Sequence, residues 1–398
     1  MRSDVVITGL GATTPLGGNV TTTWEGLLAG RSGVRTTEWD LPARIAALLA
    51  DDPAEVLGRP LARRLDRCEQ VALVAAREAW ADAGSPQVDP VRLAVVIGTG
   101  TGGALTMLGQ DDILEKEGVR RVSPHTVPML MANGPAAWVS IELGARGGAH
   151  APVSACASGS EAIAMGLDLI RLGRADVVVA GGAEACVHPL TLAGFAQART
   201  LSKRNDEPEL ASRPFDAGRD GFVLGEGAGL VVMERAAFAA ARGARVLATL
   251  AGAAITSNAV HITASDVEGQ SRAITAALRE AELDPVDVGH VSAHATSTPE
   301  GDPVEAEAIG RAVGGHPSVT AIKSMLGHLC GGAGGVAAVA AVRSIVEGLV
   351  PPTINLDTLD PRIELDVVRG SAAPLPHGAV LVNAFGFGGH NASLVLGR

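Results

Sequence analysis

Tyrosine is absent from the sequence, and all aromatic residues together make up only 3% of it. An interior must therefore be assembled from Ala, Val, Leu and Ile packed closely together. Basic residues are the minority: 32 Lys and Arg face 43 Asp and Glu, a formal net charge of −11. That balance argues against a nucleic-acid surface, where a basic excess supplies the affinity. Cysteine is scarce. Cys68, Cys156, Cys186 and Cys330 form no C-x-x-C pair, so their spacing suggests neither a zinc site nor a local redox pair. No metal and no cofactor requirement is read. No stretch of about 18 apolar residues free of charge and glycine appears, so no membrane span is expected. Met1-Arg2-Ser3-Asp4-Val5 lacks a signal-peptide pattern. A reduced, cytoplasmic enzyme is the simplest class left.

What the sequence does have is a long, apolar, glycine-rich chain: 398 residues, 47% hydrophobic, 19% charged, with 50 glycines. That length exceeds one ordinary small core, so two domains or one large layered body is expected. Apolar runs at Val5–Thr8, Leu93–Ile97, Asp176–Ala180, Leu230–Met233, His290–Ser292, Ala379–Asn383 and Ser393–Leu396 read as buried strands. Gly9-Leu10-Gly11 and Pro15-Leu16-Gly17 read as turns that follow the first of them, and Asp176–Ala180 enters Gly181-Gly182-Ala183-Glu184-Ala185. Helical patterns at Glu69–Ala83, Ser271–Glu282, Val304–Val313 and Gly335–Gly348 alternate with the strands. Thr36–Pro60 shows no firm pattern. The fold class is α/β with buried strands. A basic, Ala-rich stretch near Glu234–Gly243 is the expected division, giving halves at 1–243 and 244–398, although no clean sequence repeat relates them.

Four segments carry candidate chemistry. In Pro152–Ile163, an apolar approach reaches Cys156 among small residues, and a helical run follows from Glu161 to Leu172. A thiol where an extended segment becomes a helix faces unpaired N–H groups and the positive end of the dipole, which favour a thiolate and a developing oxyanion. Gly98-Thr99-Gly100-Thr101-Gly102-Gly103 matches G-x-G-x-x-G, but the following helix leads to Arg120, Arg121 and Pro124 rather than to a second strand. It reads as a tight turn beside a site, not a dinucleotide fingerprint. His294 ends a strand within Ser292-Ala293-His294-Ala295-Thr296-Ser297-Thr298-Pro299. Lys323 and His328 share Lys323-Ser324-Met325-Leu326-Gly327-His328, where glycines flanking His328 argue for a shaped turn. A Cys with two His from separate segments is in principle a nucleophilic set.

These segments, in this order and spacing, resemble the motifs of β-ketoacyl-acyl carrier protein synthases. The resemblance extends to Asn383-Ala384-Phe385-Gly386-Phe387-Gly388-Gly389 and to the opening Val6-Ile7-Thr8-Gly9-Leu10-Gly11, so it covers nearly the whole chain. The pattern is similar to the elongating members, which use Cys, His and His, and His294-Ala295-Thr296 with Gly389-His390-Asn391 looks most like actinobacterial enzymes. The resemblance implies the thiolase fold, two similar stacked αβαβα halves in five layers, usually as a dimer. It implies that Cys156 carries the acyl chain, and that His294 and His328 assist decarboxylation and stabilise the enolate. It further implies that Lys323 orders the site and pairs with Glu305, with Asp302 in support. The backbone N–H groups of Cys156 and Phe387 would form the oxyanion hole, with Phe387 as a gate between Gly386 and Gly388.

The implied partners are acyl- and malonyl-loaded acyl carrier protein. A second copy, or a chain-length-factor homologue lacking the Cys in a polyketide heterodimer, is the expected subunit partner. A thiolase would need a second Cys in the C-terminal loop, and no Cys follows Cys330. A non-catalytic subunit would lack the nucleophile. Carrier proteins are acidic, so Arg59, Arg63, Arg64 and Arg67, with Arg120, Arg121 and Arg204, are candidate docking residues. Cys68, Cys186 and Cys330 are expected to be structural, and His150, His188, His261 and His316 to lie on loops.

Overall fold

The computed structural model describes residues 4–398, so Met1-Arg2-Ser3 of the opening segment lie outside the described residues. Eleven strands form one continuous sheet: β1 Val5–Thr13, β2 Leu93–Gly98, β3 Ala149–His150, β4 Val177–Glu184, β5 Gly227–Arg235, β6 Ala248–Ser257, β7 Val288–Ser292, β8 Ser318–Thr320, β9 Asp366–Val367, β10 Ala379–Gly386 and β11 His390–Gly397. Their spatial order is β9-β8-β7-β10-β11-β6-β1-β5-β4-β2-β3.

This order contains the same arrangement twice. In the first half the sequence of strands is β1-β5-β4-β2-β3, and in the second β6-β11-β10-β7-β8. With the two-residue edge strand β9 set aside, which pairs parallel to β8 and has no counterpart in the first half, both read first, fifth, fourth, second, third. Both also begin with two antiparallel pairings and end with two parallel ones. The halves are joined along the sheet only where Val6 and Ile7 of β1 meet Thr249 and Ala248 of β6.

Five helices complete the layers. Helix α1 (Arg67–Asp82) covers β1, β4 and β5 on one outer face, and α3 (Val267–Ala281) with α4 (Gly301–Ala312) covers the other. Between the halves lie α2 (Ser158–Arg171) and α5 (Ala333–Glu347), each touching strands of both. The architecture is the five-layered α/β thiolase type. Helix α5 is buried at twelve of its fifteen residues. The segment Cys330–Glu347 is the one helix among the described residues long and apolar enough to cross a membrane, and 83% of it is inside the protein.

Local chemistry starts the helices. Asp66 accepts from the Cys68 N–H at 2.8 Å, and Glu69 accepts in return from the Asp66 N–H at 2.8 Å, a reciprocal cap on α1. Asp266 caps α3 through the Gly269 N–H at 2.7 Å.

The expected turn at Gly9-Leu10-Gly11 is strand interior instead, and the strand from Asp176 likewise runs on through its glycines. Strand β1 runs through Gly9 and Gly11, because α1 crosses so close that a Cβ at Gly9 would lie 2.3 Å from the Ala79 carbonyl oxygen. Strand β4 runs through Gly182, where a Cβ would lie 2.1 Å from the Gly331 carbonyl oxygen. Glycine in these strands marks close approach of another backbone rather than chain reversal. The patternless Thr36–Pro60 region holds a short hairpin, Arg35–Thr36 against Ile45–Ala46, and two short helices, with Ile45, Ala46 and Ala47 buried.

Candidate active site

Cys156 sits in a single 3-10 turn, Ala155–Ala157, immediately before α2. The helix starts at Ser158, three residues before the position the sequence pattern suggests. Ala155 adopts φ +52°, a left-handed conformation that costs a non-glycine residue energy. The Ser158 hydroxyl holds this turn: it accepts from the Ser154 N–H at 2.9 Å and lies 2.7 Å from the Ala155 carbonyl oxygen, to which it donates. Cys156 is half-buried, whereas Cys68, Cys186 and Cys330 are buried.

A second tight turn, Cys330–Gly332, lies against the first. Glycine permits the approach, since a Cβ at Gly159 would lie 2.8 Å from the Gly331 carbonyl oxygen. The contact sets Cys330 beside Cys156, and this neighbour is the main influence holding the Cys156 thiol well below its ordinary range. His328, through its charge and a hydrogen bond, and the charge of Lys323 act in the same direction, against burial.

His328 is fixed through its backbone. Its N–H donates to the Val223 carbonyl at 2.7 Å, and its carbonyl accepts from the Gly225 N–H at 2.9 Å. The His294 and His328 rings meet edge to face, with centroids 5.4 Å apart. Phe222 packs edge-on against His328 and Phe385 against His294. Both rings leave Nδ1 buried without a protein partner. Burial first, then the charges of Lys323 and His328, hold the His294 imidazole well below its usual range, so it is neutral at pH 7. Lys323 is 4% exposed, and burial lowers it to about 8 although Glu305 and Cys156 act to raise it.

Glu305 does something other than the expected pairing. Its Oε1 accepts from the His294 N–H at 2.7 Å and its Oε2 from the Ala295 N–H at 2.6 Å, with Asn383 Nδ2 at 3.3 Å from Oε1. Its tie to Lys323 is the attraction of charge, not a hydrogen bond. The carboxyl therefore clamps the backbone on which His294 stands. Asp302, one turn earlier on α4, does the same for the next stretch, accepting from Ser297, Thr298 and Phe215 N–H groups. Burial raises Glu305 to about 7 and Asp302 to about 6.

The C-terminal loop reaches the nucleophile turn at Gly386, where a Cβ would lie 2.4 Å from the Ser154 carbonyl oxygen and 3.1 Å from the Cys156 nitrogen. Phe387 is 41% exposed and so is not core packing. Gly388 (φ +92°) and Gly389 (φ +75°) take backbone conformations that favour glycine.

The structure thus gathers Cys156, His294, His328, Lys323 and the Gly386 loop. The Gly98–Gly103 run also lies beside them: the buried Glu184 carboxylate accepts from Gly100, Thr101 and Gly331 N–H groups, tying that run to the Cys330 turn. Cys330, expected to be structural only, is a neighbour of the reactive sulfur. Its position two residues beyond His328 was the available signal. Arg67 leaves the basic set: half-buried, it grips Glu226 through Nε at 2.9 Å and a terminal nitrogen at 2.8 Å. Arg204 is likewise half-buried and donates to the Gly218 carbonyl, whereas Arg59, Arg63, Arg64 and Arg120 are exposed. His150 lies in β3 rather than on a loop, and His188 Nδ1 caps the helix Pro189–Gln197.

Chemically, the arrangement brings together a thiol held toward the thiolate, a neutral imidazole beside a second one, and the buried amine of Lys323. The family models described as Beta-ketoacyl synthase, N-terminal domain, and Beta-ketoacyl synthase, C-terminal domain, match residues 2–239 and 247–357. The chain is 45% identical to the 3-oxoacyl-[acyl-carrier-protein] synthase 2 of Mycobacterium tuberculosis, over 99% of this chain and 97% of that one. Among solved structures it is similar to the ishigamide ketosynthase/chain length factor (TM-score 0.93, 33% identity, all of both chains). It is also similar to a type II polyketide synthase ketosynthase in complex with its acyl-carrier protein, bound to a hexaketide (TM-score 0.92, 30% identity, all of both chains).

Proposed function

Because the chain belongs to the β-ketoacyl synthase family, we propose that it lengthens acyl chains by decarboxylative Claisen condensation on acyl carrier protein. The observation that carries this reading is the convergence of Cys156, His294 and His328, the two rings edge to face and His328 acting on the thiol. The Cys156 thiolate attacks the acyl thioester of the carrier, and the carrier thiol leaves. Malonyl carrier protein then loses CO2, and the electron pair of the broken bond enters the thioester as an enolate. Imidazole N–H groups of His294 and His328 stabilise the enolate oxygen without the acidic proton that would quench the carbanion. The carbanion attacks the acyl carbon, and the Cys156 thiolate is expelled with β-ketoacyl carrier protein as product. Backbone N–H groups of Cys156 and Phe387 receive the oxyanion, supported by the closeness of Gly386 to the Cys156 amide. Exposure of Phe387 between flexible glycines supports its role as a gate. Lys323 supplies positive charge beside the thiolate, and Glu305 and Asp302 hold the backbone that bears His294.

The pathway reading is fatty-acid elongation by a homodimer. Identity of 45% to a 3-oxoacyl-carrier synthase, against 30–33% to the two polyketide ketosynthases, supports it. The short edge strand β3 and exposed Val119, Val127, Ile141 and Val153 nearby in sequence support a subunit interface on that side. A heterodimer with a chain-length-factor homologue is the polyketide alternative. We place the division of the chain at 243/244, and the enzyme in the cytoplasm, where free thiols such as its four persist.

The test is intact mass after mixing the protein with acyl carrier proteins of several chain lengths, followed by malonyl carrier protein. An acyl adduct on Cys156 that disappears as β-ketoacyl carrier protein forms is the expected result. An adduct that never turns over would point to a missing partner subunit, and no adduct with any carrier would sink the reading.

A further inference from the structure

No step of the condensation falls to Cys330, yet the turn that carries it packs against the turn that carries Cys156. We propose that Cys156 and Cys330 form a reversible disulfide under peroxide, a modification that closes the active site and shields its nucleophile from irreversible oxidation. The proposal rests on the reading of Cys156 as the reactive thiol and extends it to a second residue.

Three observations carry it. First, the two cysteines belong to tight turns, Ala155–Ala157 and Cys330–Gly332, that pack against each other, with Gly159 just past the first so close that a Cβ there would lie 2.8 Å from the Gly331 carbonyl oxygen. Second, the pair is asymmetric in access. Cys156 is half-buried and within reach of a small oxidant, whereas Cys330 is 7% exposed and Cys186 fully buried. Third, the pair is asymmetric in reactivity. Cys156 is held toward the thiolate, while its interactions with Cys156 and Cys186 keep Cys330 protonated. An accessible thiolate beside a protonated thiol is the arrangement in which an attacking and a resolving cysteine divide their roles.

The chemistry balances with a peroxide as oxidant. The Cys156 thiolate attacks one peroxide oxygen, the O–O bond breaks, and hydroxide leaves, giving a sulfenic acid. The Cys330 sulfur attacks the Cys156 sulfur, its proton leaves with the displaced hydroxide as water, and the S–S bond forms. Two thiols are oxidised and one peroxide is reduced to two waters. A dithiol reverses the change by exchange through a mixed disulfide. Spacing alone does not mark this pair, because the residues are 174 positions apart (330 − 156) and no C-x-x-C pattern is involved.

The experiment is peptide mapping of the full-length protein after hydrogen peroxide, with free thiols alkylated and no reductant added. The expected result is a linked pair of peptides bearing Cys156 and Cys330, lighter by two hydrogens, with activity lost on oxidation and regained with dithiothreitol. In Cys330→Ala and Cys330→Ser, the expected product is sulfinic acid on Cys156, heavier by two oxygens. The loss, measured against each variant's own untreated rate, is then not recovered. Wild-type protein that accumulates sulfinic acid on Cys156 as fast as the variants would overturn the proposal, as would a link between Cys330 and Cys186 in its place. The map requires no turnover, so it decides the disulfide independently of whether any carrier substrate is condensed.

Discussion

Cys68 and Cys156 both stand at the start of a helix, and their thiols respond in opposite directions. Cys68 lies in the first turn of α1, with its own N–H bonded to the Asp66 cap. Burial, then the negative charges of Glu184 and Asp66, push its thiol well up. Its sulfur donates to the Ala183 carbonyl at 3.4 Å and rests 3.6 Å from the Thr99 hydroxyl. Cys156 precedes α2 with no side-chain cap, and its neighbours are a thiol, an imidazole and an ammonium. The helix terminus is common to both sites, so it does not decide which cysteine is activated. What surrounds each sulfur does: burial and two carboxyl groups at Cys68, a thiol, an imidazole and an ammonium at Cys156. The acid-rich surroundings of Cys68 make an inert structural thiol, and the donor-rich surroundings of Cys156 make a nucleophile.

Exchanging roles by mutation gives the largest contrast. Cys156→Ala is expected to abolish the acyl adduct and lower condensation on the order of 10³-fold or more, read by intact mass and product formation. Cys68→Ala should keep the adduct and cost about 1–2 kcal/mol of stability, read by denaturant unfolding. An adduct surviving in Cys156→Ala would break the comparison outright. Removing a positive neighbour gives an intermediate effect. Lys323→Met should slow iodoacetamide alkylation of Cys156 at pH 7 by about tenfold, with the alkylation profile moved to higher pH. An unchanged profile would mean that Lys323 does not act on the thiolate.

The smallest effect tests the acidic side. Glu69, beside Cys68, bonds the Asp66 N–H through Oε2 but leaves Oε1 buried without a partner, and burial raises the carboxyl to about 8. A carboxyl raised on folding is protonated in the folded protein while ionised in the unfolded chain. Stability therefore falls as pH rises from about 4.5 to about 8. Glu69→Gln keeps the backbone bond without the charge. Its melting temperature at pH 8 should exceed that of the natural protein by roughly 3 °C, and the difference should shrink toward pH 5. A constant difference across that range would remove the titration argument.

The alternation of buried strands and helices was legible because β2, β4 and β10 open on unbroken apolar runs. Their full lengths were not. Gly9 and Gly11 look like turns to a local reading, and only the crossing of α1 explains them; the extension of β4 through Gly182 is explained by the approach of the Cys330 turn. The repeated strand order was invisible because it is a pattern of pairings, and pairings leave no fixed residue spacing. At the site, Cys156, His294, Lys323 and His328 were legible through their motifs. The placement of Glu305 was not: its carboxylate serves the His294 and Ala295 N–H groups, and backbone partners have no side-chain signature. Arg67 was misread for a similar reason. Glu226, its partner, lies 159 residues away in sequence.

The two central helices also bear on how such a chain comes off the ribosome. Strands β4 and β5 belong to the first half, but α5, which covers part of their inner face, ends at Glu347. The first 243 residues can pair their strands early, yet that apolar face must wait for about a hundred more residues at a synthesis rate of roughly 5–20 residues per second. Nascent chains of this protein accordingly spend seconds with an unfinished layer, the interval in which a holding chaperone would have most to cover.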